Sequence, residues 1–256
     1  VIETSCIKWV SLNSAGYTRY DTPDFLGAMK SRGGAFSNAS SVFDEPCAQY
    51  LPAMMLAFSR QLPGGILAQT SKTWAYGDLR YKTFLLQGQT AILYGFGAIG
   101  QRLAEMLAPF KMNLIAVRRK PADFPGVKVV TAEQAEPLLK TADHVVNSLP
   151  QTAGTDDFFN ADRFAKFKYG AFFYNVGRGT TVDQQALLTM LETHRLAGAY
   201  LDVTVPEPLP ADSSLWTAPN CCITPHIAGG LRGEYERQVD HFIDNVRRYT
   251  SGKPLA

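Results

Sequence analysis

Between residues 88 and 226, short apolar runs alternate with stretches of helical spacing, and the first run leads directly into Gly95-Phe96-Gly97-Ala98-Ile99-Gly100. The runs are Ala91 to Tyr94, Asn113 to Val117, Val127 to Val130, His144 to Leu149, Ala171 to Val176, Ala199 to Val203 and Cys222 to Thr224. Ile99 to Leu107, Ala132 to Lys140 and Gln184 to Thr193 carry the apolar periodicity of helices. Uninterrupted apolar strands joined through helices predict a parallel sheet covered on both faces, an α/β fold of the doubly wound type. A further helix is expected from about Asp44 toward Leu62, with Pro46 in its first turn and Pro52 as a kink or late start. Pro63-Gly64-Gly65 reads as a breaker, Thr73 to Gly88 lacks clean periodicity, and a last helix is expected from about Gly233 to Tyr249.

The glycine loop sits where its pattern has a mechanism, after a strand and opening a helix. Gly95 permits the tight turn, Gly97 lets backbone approach a pyrophosphate, and Gly100 allows close helix–strand packing. The helix N-terminus adds N–H groups and a positive dipole end, which makes this a dinucleotide-binding (Rossmann) domain. The next strand ends in Arg118-Arg119-Lys120, with no carboxylate before Asp123. An acidic residue there would hold a ribose 2′-hydroxyl, whereas guanidiniums suit a 2′-phosphate. NADP(H) is therefore expected over NAD(H), with a solvated basic turn and NAD use as the open alternative.

Arg178, Glu207 and His226 each follow a different predicted strand, and parallel strands place all their carboxyl ends at one edge. A 2-oxo acid needs a cation for its carboxylate, a proton donor for its carbonyl oxygen, and a hydride. Arg178 suits the first task and His226 the second, while Glu207 can orient the imidazole and stabilise positive charge on it. Taken singly, each has a plainer reading, as a surface-turn arginine, a solvated loop carboxylate and a capped histidine. His144, His194 and His241 read as structural, and no metal-ligand spacing or G-x-S-x-G setting occurs.

Composition narrows the class further. The chain has 256 residues, 46% of them apolar and 19% charged, enough for a sizeable core and unlike a disordered or disulfide-scaffold protein. Its net charge is +2 without a basic or acidic block, which speaks against nucleic acid or an anionic membrane as partner. Tyr50 to Phe58, the most apolar stretch, is far short of the roughly 20 residues of a membrane span. Cys6, Cys47, Cys221 and Cys222 lack metal or disulfide-scaffold spacing and are read as reduced core thiols of a cytoplasmic protein.

Asn175-Val176-Gly177-Arg178-Gly179, Leu201-Asp202-Val203 with Pro206-Glu207-Pro208-Leu209-Pro210, and Thr224-Pro225-His226-Ile227-Ala228-Gly229 resemble, in order and spacing, the signature segments of the D-isomer-specific 2-hydroxyacid dehydrogenases. The glyoxylate/hydroxypyruvate reductase branch is the most similar, and the resemblance covers nearly the whole chain from about Lys8. It implies an oxidoreductase that moves a hydride between NADPH and a small 2-oxo acid to give the D-2-hydroxy acid, with Arg178, Glu207 and His226 as the catalytic set. It further implies that Ala98 and Ile99 face the pyrophosphate, that Leu149-Pro150 walls the adenine side, that Val176 borders the cofactor and that Asp202 meets the nicotinamide carboxamide. Ser14-Ala15-Gly16 resembles the family loop whose amides hold the substrate carboxylate, beside Arg178 and His226. Two domains and a homodimer with Trp74 in the dimer arm are implied as well.

On this basis residues 1–44 form part of a flavodoxin-like substrate domain, 45–230 the dinucleotide-binding domain, and 231–256 a helix returning to the substrate domain. Residue 1 is Val and a strand is expected by Ile7 to Leu12, so the substrate domain reads as N-terminally incomplete by about two strand–helix steps. Gln49 stands where the family commonly has Glu. A cofactor-sensing scaffold like the corepressors of this family, or an inactive fragment, are the alternatives to an active reductase.

Overall fold

A computed structural model describes residues 2–256. In chain order its elements are β1 (Trp9–Ser11), α1 (Pro23–Ser31), β2 (Ala35–Ser37), α2 (Ser40–Ser59), α3 (Leu62–Thr70), α4 (Tyr76–Arg80), β3 (Thr90–Tyr94), α5 (Ala98–Leu107), β4 (Asn113–Val117), β5 (Val127–Val130), α6 (Ala132–Ala135), β6 (His144–Asn147), α7 (Ala161–Phe164), β7 (Ala171–Asn175), α8 (Gln184–Glu192), β8 (Leu196–Leu201), β9 (Cys221–Ile223) and α9 (Glu234–Thr250). The chain divides into two compact units. One comprises the chain through Pro46 with Gly229–Ala256, and the other is Cys47–Ala228.

In the Cys47–Ala228 unit every predicted apolar run forms a parallel strand, and the seven strands order as β5-β4-β3-β6-β7-β8-β9. The strand order reverses between β3 and β6, so their connections leave in opposite directions and open a crevice at their carboxyl ends. The strands are apolar throughout because both faces are covered. Along β7, Phe173 joins Phe159, Phe164 and Leu187 on one face, while Phe172 and Tyr174 meet Phe58 on the other. Each such fully buried ring contributes about 1.5–3 kcal/mol. Side-chain caps fix several helix starts: Asp183 accepts from the Ala186 amide at 3.0 Å, and Thr131 forms a capping box with Gln134.

Local signals and structure part company before this sheet. α2 begins at Ser40, not Asp44, and carries both Pro46 and Pro52 inside one continuous helix. Tertiary burial overrides them: Ala48, Leu51, Met55 and Phe58 are at most 1% exposed and form one helical stripe. The break expected at Pro63-Gly64-Gly65 falls instead at Gln61, whose φ of 57° is left-handed, and Pro63 sits in the first turn of α3, where its missing N–H costs nothing. Thr73 to Gly88 contains the short α4, and Ala132 to Lys140 is α-helical only to Ala135 before tightening into a 3₁₀ turn. The core reading of the cysteines holds for Cys47, which is buried; Cys221 and Cys222 are partly buried, and Cys6 is exposed.

The other unit pairs β1 with β2 in parallel and packs Trp9 against Phe242 and Tyr249 of α9, at ring separations of 5.5 and 5.3 Å. β2 and the Thr22-capped α1, which buries only Phe25 and Met29, had no sequence expectation. Ser14, Ala15 and Gly16 form the loop after β1, tied down by the Asn38 amide, which donates to Ala15 O at 2.9 Å.

Candidate active site

The glycine loop realises three distinct constraints. Gly95 has φ +89°, and a Cβ there would lie 2.6 Å from the Ser148 carbonyl, so only glycine fits between β3 and the end of β6. A Cβ on Gly100 would meet Gly95 O at 2.9 Å, which makes it the packing glycine of α5. At Gly97 a Cβ would meet nothing within 4 Å, so this exposed position faces open space. The first helical bond of α5 runs from Gln101 N to Gly97 O, leaving the amides of Ala98, Ile99 and Gly100 ahead of it, at the positive end of the helix. A tight turn, an open backbone approach and unspent N–H donors form a cradle that fits a dinucleotide pyrophosphate.

Around this cradle the strand ends interlock. Ser148 Oγ donates to Gly95 O at 2.8 Å, and a Cβ on Gly177 would lie 2.6 Å from Leu149 O. Leu149 is half-buried and Pro150 exposed just after β6, while buried Val176 directly follows β7. Arg118 and Arg119 stand exposed at the end of β4, beyond which Phe124 packs edge-on against Phe96 at 5.0 Å.

The polar groups that hold Arg178 were not anticipated. Buried Asn147 donates to Asn175 Oδ1 at 3.0 Å and Thr181 Oγ1 at 2.7 Å, and Asn175 Oδ1 also accepts from the Gly177 amide. Thr181 Oγ1 donates to Arg178 O at 2.6 Å, fixing the backbone that projects the guanidinium. Asparagine closing an otherwise apolar strand, as at Asn147 and Asn175, was the sequence signal available for this network. Arg178 is half-buried, with Nη1 donating to Gly177 O at 2.7 Å and its other donors left for a ligand.

Glu207 and His226 meet directly: the carboxylate Oε2 lies 2.7 Å from Nδ1 of the imidazole. Glu207 Oε1 accepts from the Thr204 amide at 3.1 Å, so one oxygen is anchored and the other holds the ring. Since the carboxylate only accepts, Nδ1 carries the proton toward it and Nε2 points away, free for chemistry. The side chains of His226 and Glu207 are 50% and 38% exposed, which leaves both open to solvent. The Glu207 loop is brought to the Arg178 loop by close backbone packing of Gly179 on Thr204, and Gln184 grips both backbone groups of Val205. Gln184 had no expected role.

Asp202 is 3% exposed and accepts from Thr224 Oγ1, Ile227 N and Ala228 N at 2.6, 2.9 and 3.0 Å. Within the same unit, His144 and His194 stand apart from this edge. His144 is buried at the opposite end of β6, burial pushing it down to about 4, and His194 follows α8 in a left-handed conformation.

This arrangement has close parallels. The sequence profile described as D-isomer specific 2-hydroxyacid dehydrogenase, NAD binding domain, matches residues 52–228. Human glyoxylate reductase/hydroxypyruvate reductase is 33% identical over 237 residues, covering 90% of this chain and 71% of that protein. The crystal structure of Rhodotorula graminis D-mandelate dehydrogenase superposes with a TM-score of 0.86 at 25% identity, over 98% of this chain and 74% of the other. That of a D-isomer specific 2-hydroxyacid dehydrogenase from Xanthobacter autotrophicus, in complex with NADPH and MES, gives a TM-score of 0.73 at 30% identity, over 83% and 86%. With the cofactor cradle and the His–Glu pair at the carboxyl edge of the same parallel sheet, these matches establish the chain as an NAD(P)-dependent oxidoreductase that belongs to the D-isomer specific 2-hydroxyacid dehydrogenase family.

Proposed function

We propose that this protein reduces a small 2-oxo acid of the glyoxylate or hydroxypyruvate kind to the D-2-hydroxy acid, with NADPH preferred over NADH. The 2.7 Å pairing of Glu207 with His226 Nδ1 carries the proposal, because it leaves Nε2 as a positioned proton donor. A bound reduced nicotinamide supplies the hydride. Arg178 offers guanidinium donors to the substrate carboxylate and polarises the neighbouring carbonyl. His226 gives its Nε2 proton to the carbonyl oxygen as charge develops there, and Glu207 stabilises the imidazolium and holds the ring in place. The Asp202 carboxylate keeps a lone pair on Oδ2 suited to a carboxamide N–H. Leu149, Pro150 and Val176 supply the apolar border of the cofactor, and Ser14, Ala15 and Gly16 are assigned to the substrate carboxylate from the family resemblance.

Arg118 and Arg119 support the cofactor preference, since both are exposed after β4 with no carboxylate before Asp123. Relatives named as reductases and as a 2-hydroxyacid dehydrogenase favour this reading over a cofactor-sensing scaffold or an inactive fragment. The Cys47–Ala228 unit is taken as the cofactor domain and the other as the substrate domain. Exposed Leu67, Trp74 and Tyr81, at 70%, 92% and 82%, support a homodimer through the cofactor domain. No helix among the described residues is long and apolar enough to cross a membrane, and a reducing cytoplasmic setting suits the free cysteines.

The test is loss of NADPH absorbance with a panel of 2-oxo acids. Turnover of glyoxylate or hydroxypyruvate is expected, with His226→Ala nearly inactive; no turnover of any member, or full activity in His226→Ala, overturns the assignment.

A further inference from the structure

His226 is an unusual backbone position. Its φ of 54° places a histidine in the left-handed region, which side-chain-bearing residues avoid unless their surroundings enforce it. The enforcement is visible. The His226 amide donates to Asp202 O at 2.8 Å and to Thr224 O at 2.9 Å. The Asp202 carboxylate takes up the next two amides, those of Ile227 and Ala228, so both sides of the turn are held by the same residue.

That carboxylate is itself aimed by a directed chain. Carboxylate oxygens only accept, so at 2.6 Å the single hydroxyl proton of Thr224 must go to Asp202 Oδ1. Tyr200 Oη, 2.8 Å from Thr224 Oγ1, must then donate to it. Tyr200 is fully buried and stacks face-on with Tyr50 at 5.9 Å, so the head of the chain is rigid. Burial also holds the Tyr200 phenol well above its usual range, which keeps the donated proton in place.

We infer that Thr224 is a positioning residue for the acid–base histidine: its hydroxyl, oriented by Tyr200, fixes the Asp202 carboxylate, which clamps the left-handed turn that presents His226 to Glu207. The inference rests on the reductase assignment for its kinetic consequence, but its geometric consequence stands without it. A displacement of about 1 Å at a reacting group costs on the order of 100-fold. Removing the hydroxyl while keeping the shape should therefore act on the chemical step rather than on substrate binding.

The experiment compares the full chain with Thr224→Val, Thr224→Ser and Tyr200→Phe, each checked for an unchanged far-ultraviolet spectrum and studied well below its melting temperature. Thr224→Val is expected to lower kcat about tenfold or more with KM for the 2-oxo acid within about threefold, Thr224→Ser to restore kcat to within about twofold, and Tyr200→Phe to fall between. Independently of turnover, the proton NMR signal of the Nδ1–H bonded to Glu207, assigned by its loss in His226→Ala, should be present in wild type and Thr224→Ser and broadened or lost in Thr224→Val. A folded Thr224→Val protein that keeps this signal overturns the inference, whether or not the wild type turns over. If the wild type reduces no 2-oxo acid while the signal still depends on Thr224, the reductase assignment fails and the clamp stands.

Discussion

His144 should make this protein acid-sensitive well before its carboxylates titrate. The ring is fully buried, stacks on Phe172 at 5.6 Å, and has both nitrogens engaged. Gln89 Oε1 at 2.5 Å can only accept, so Nε2 carries the proton and Nδ1 accepts from Tyr174 Oη at 2.9 Å. Adding a second proton at Nδ1 would oppose the Tyr174 hydroxyl and place a charge in an apolar site. Burial accordingly lowers its value from 6.5 to about 4; nearby Asp143 acts in the opposite sense, and Lys168 adds to the lowering. Because the folded value lies below the unfolded one, the contribution is complete above pH 6.5 and is lost as pH falls through that value toward 4. At about 1.4 kcal/mol per unit, the full loss is about 3 kcal/mol, of which about 2 kcal/mol has gone by pH 5. Urea unfolding between pH 7.5 and 5 should show this slope, and His144→Gln should flatten it whatever its own stability. An unchanged slope in that variant, or an imidazole that titrates near 6.5 in the folded protein, refutes the account.

Other expectations follow from single contacts. Gly95→Ala should cost about 2 kcal/mol or more and abolish NADPH-induced thermal stabilisation, because it combines a positive φ with a Cβ 2.6 Å from Ser148 backbone. Glu207→Gln keeps a neutral partner for Nδ1 but removes the negative charge, so kcat should fall about 10- to 100-fold with the cofactor Kd unchanged. The double variant Arg118→Ala/Arg119→Ala should raise the Kd for NADPH about tenfold or more and leave that for NADH within twofold; equal effects on both cofactors would remove the arginines from 2′-phosphate recognition. Trp74→Glu should shift the particle to half its mass in light scattering if the exposed α3–α4 face pairs two copies.

The parts of the fold that are legible in the sequence share a cause. Strands buried on both faces, such as His144–Asn147 and Ala171–Asn175, leave an uninterrupted apolar run that survives any choice of window. α1 left no such trace because it buries so little, and α2 misled because proline is a local signal whereas the burial of Leu51 and Met55 is a tertiary one. Pro63 punctuates the chain in either sense, and the structure uses it to start α3 rather than to end α2.

In the site, the same division is sharper. Arg178, Glu207 and His226 could be assigned to one edge because strand order alone delivers them there. What fixes the geometry of this candidate constellation is a set of polar contacts between segments that meet at the carboxyl edge of the sheet: Asn147 to Thr181, Gln184 to Val205, Thr224 to Asp202. Each spans 21 to 34 residues and depends on how neighbouring strands are placed, which periodicity does not encode. The left-handed backbone at His226 is the clearest instance. Nothing in a histidine announces a positive φ as a glycine would, and here the conformation goes with an Asp202 carboxylate that collects the amides that follow it. The residue proposed to react is therefore readable from its chemistry, whereas the residues that hold its backbone are readable only from the packed sheet.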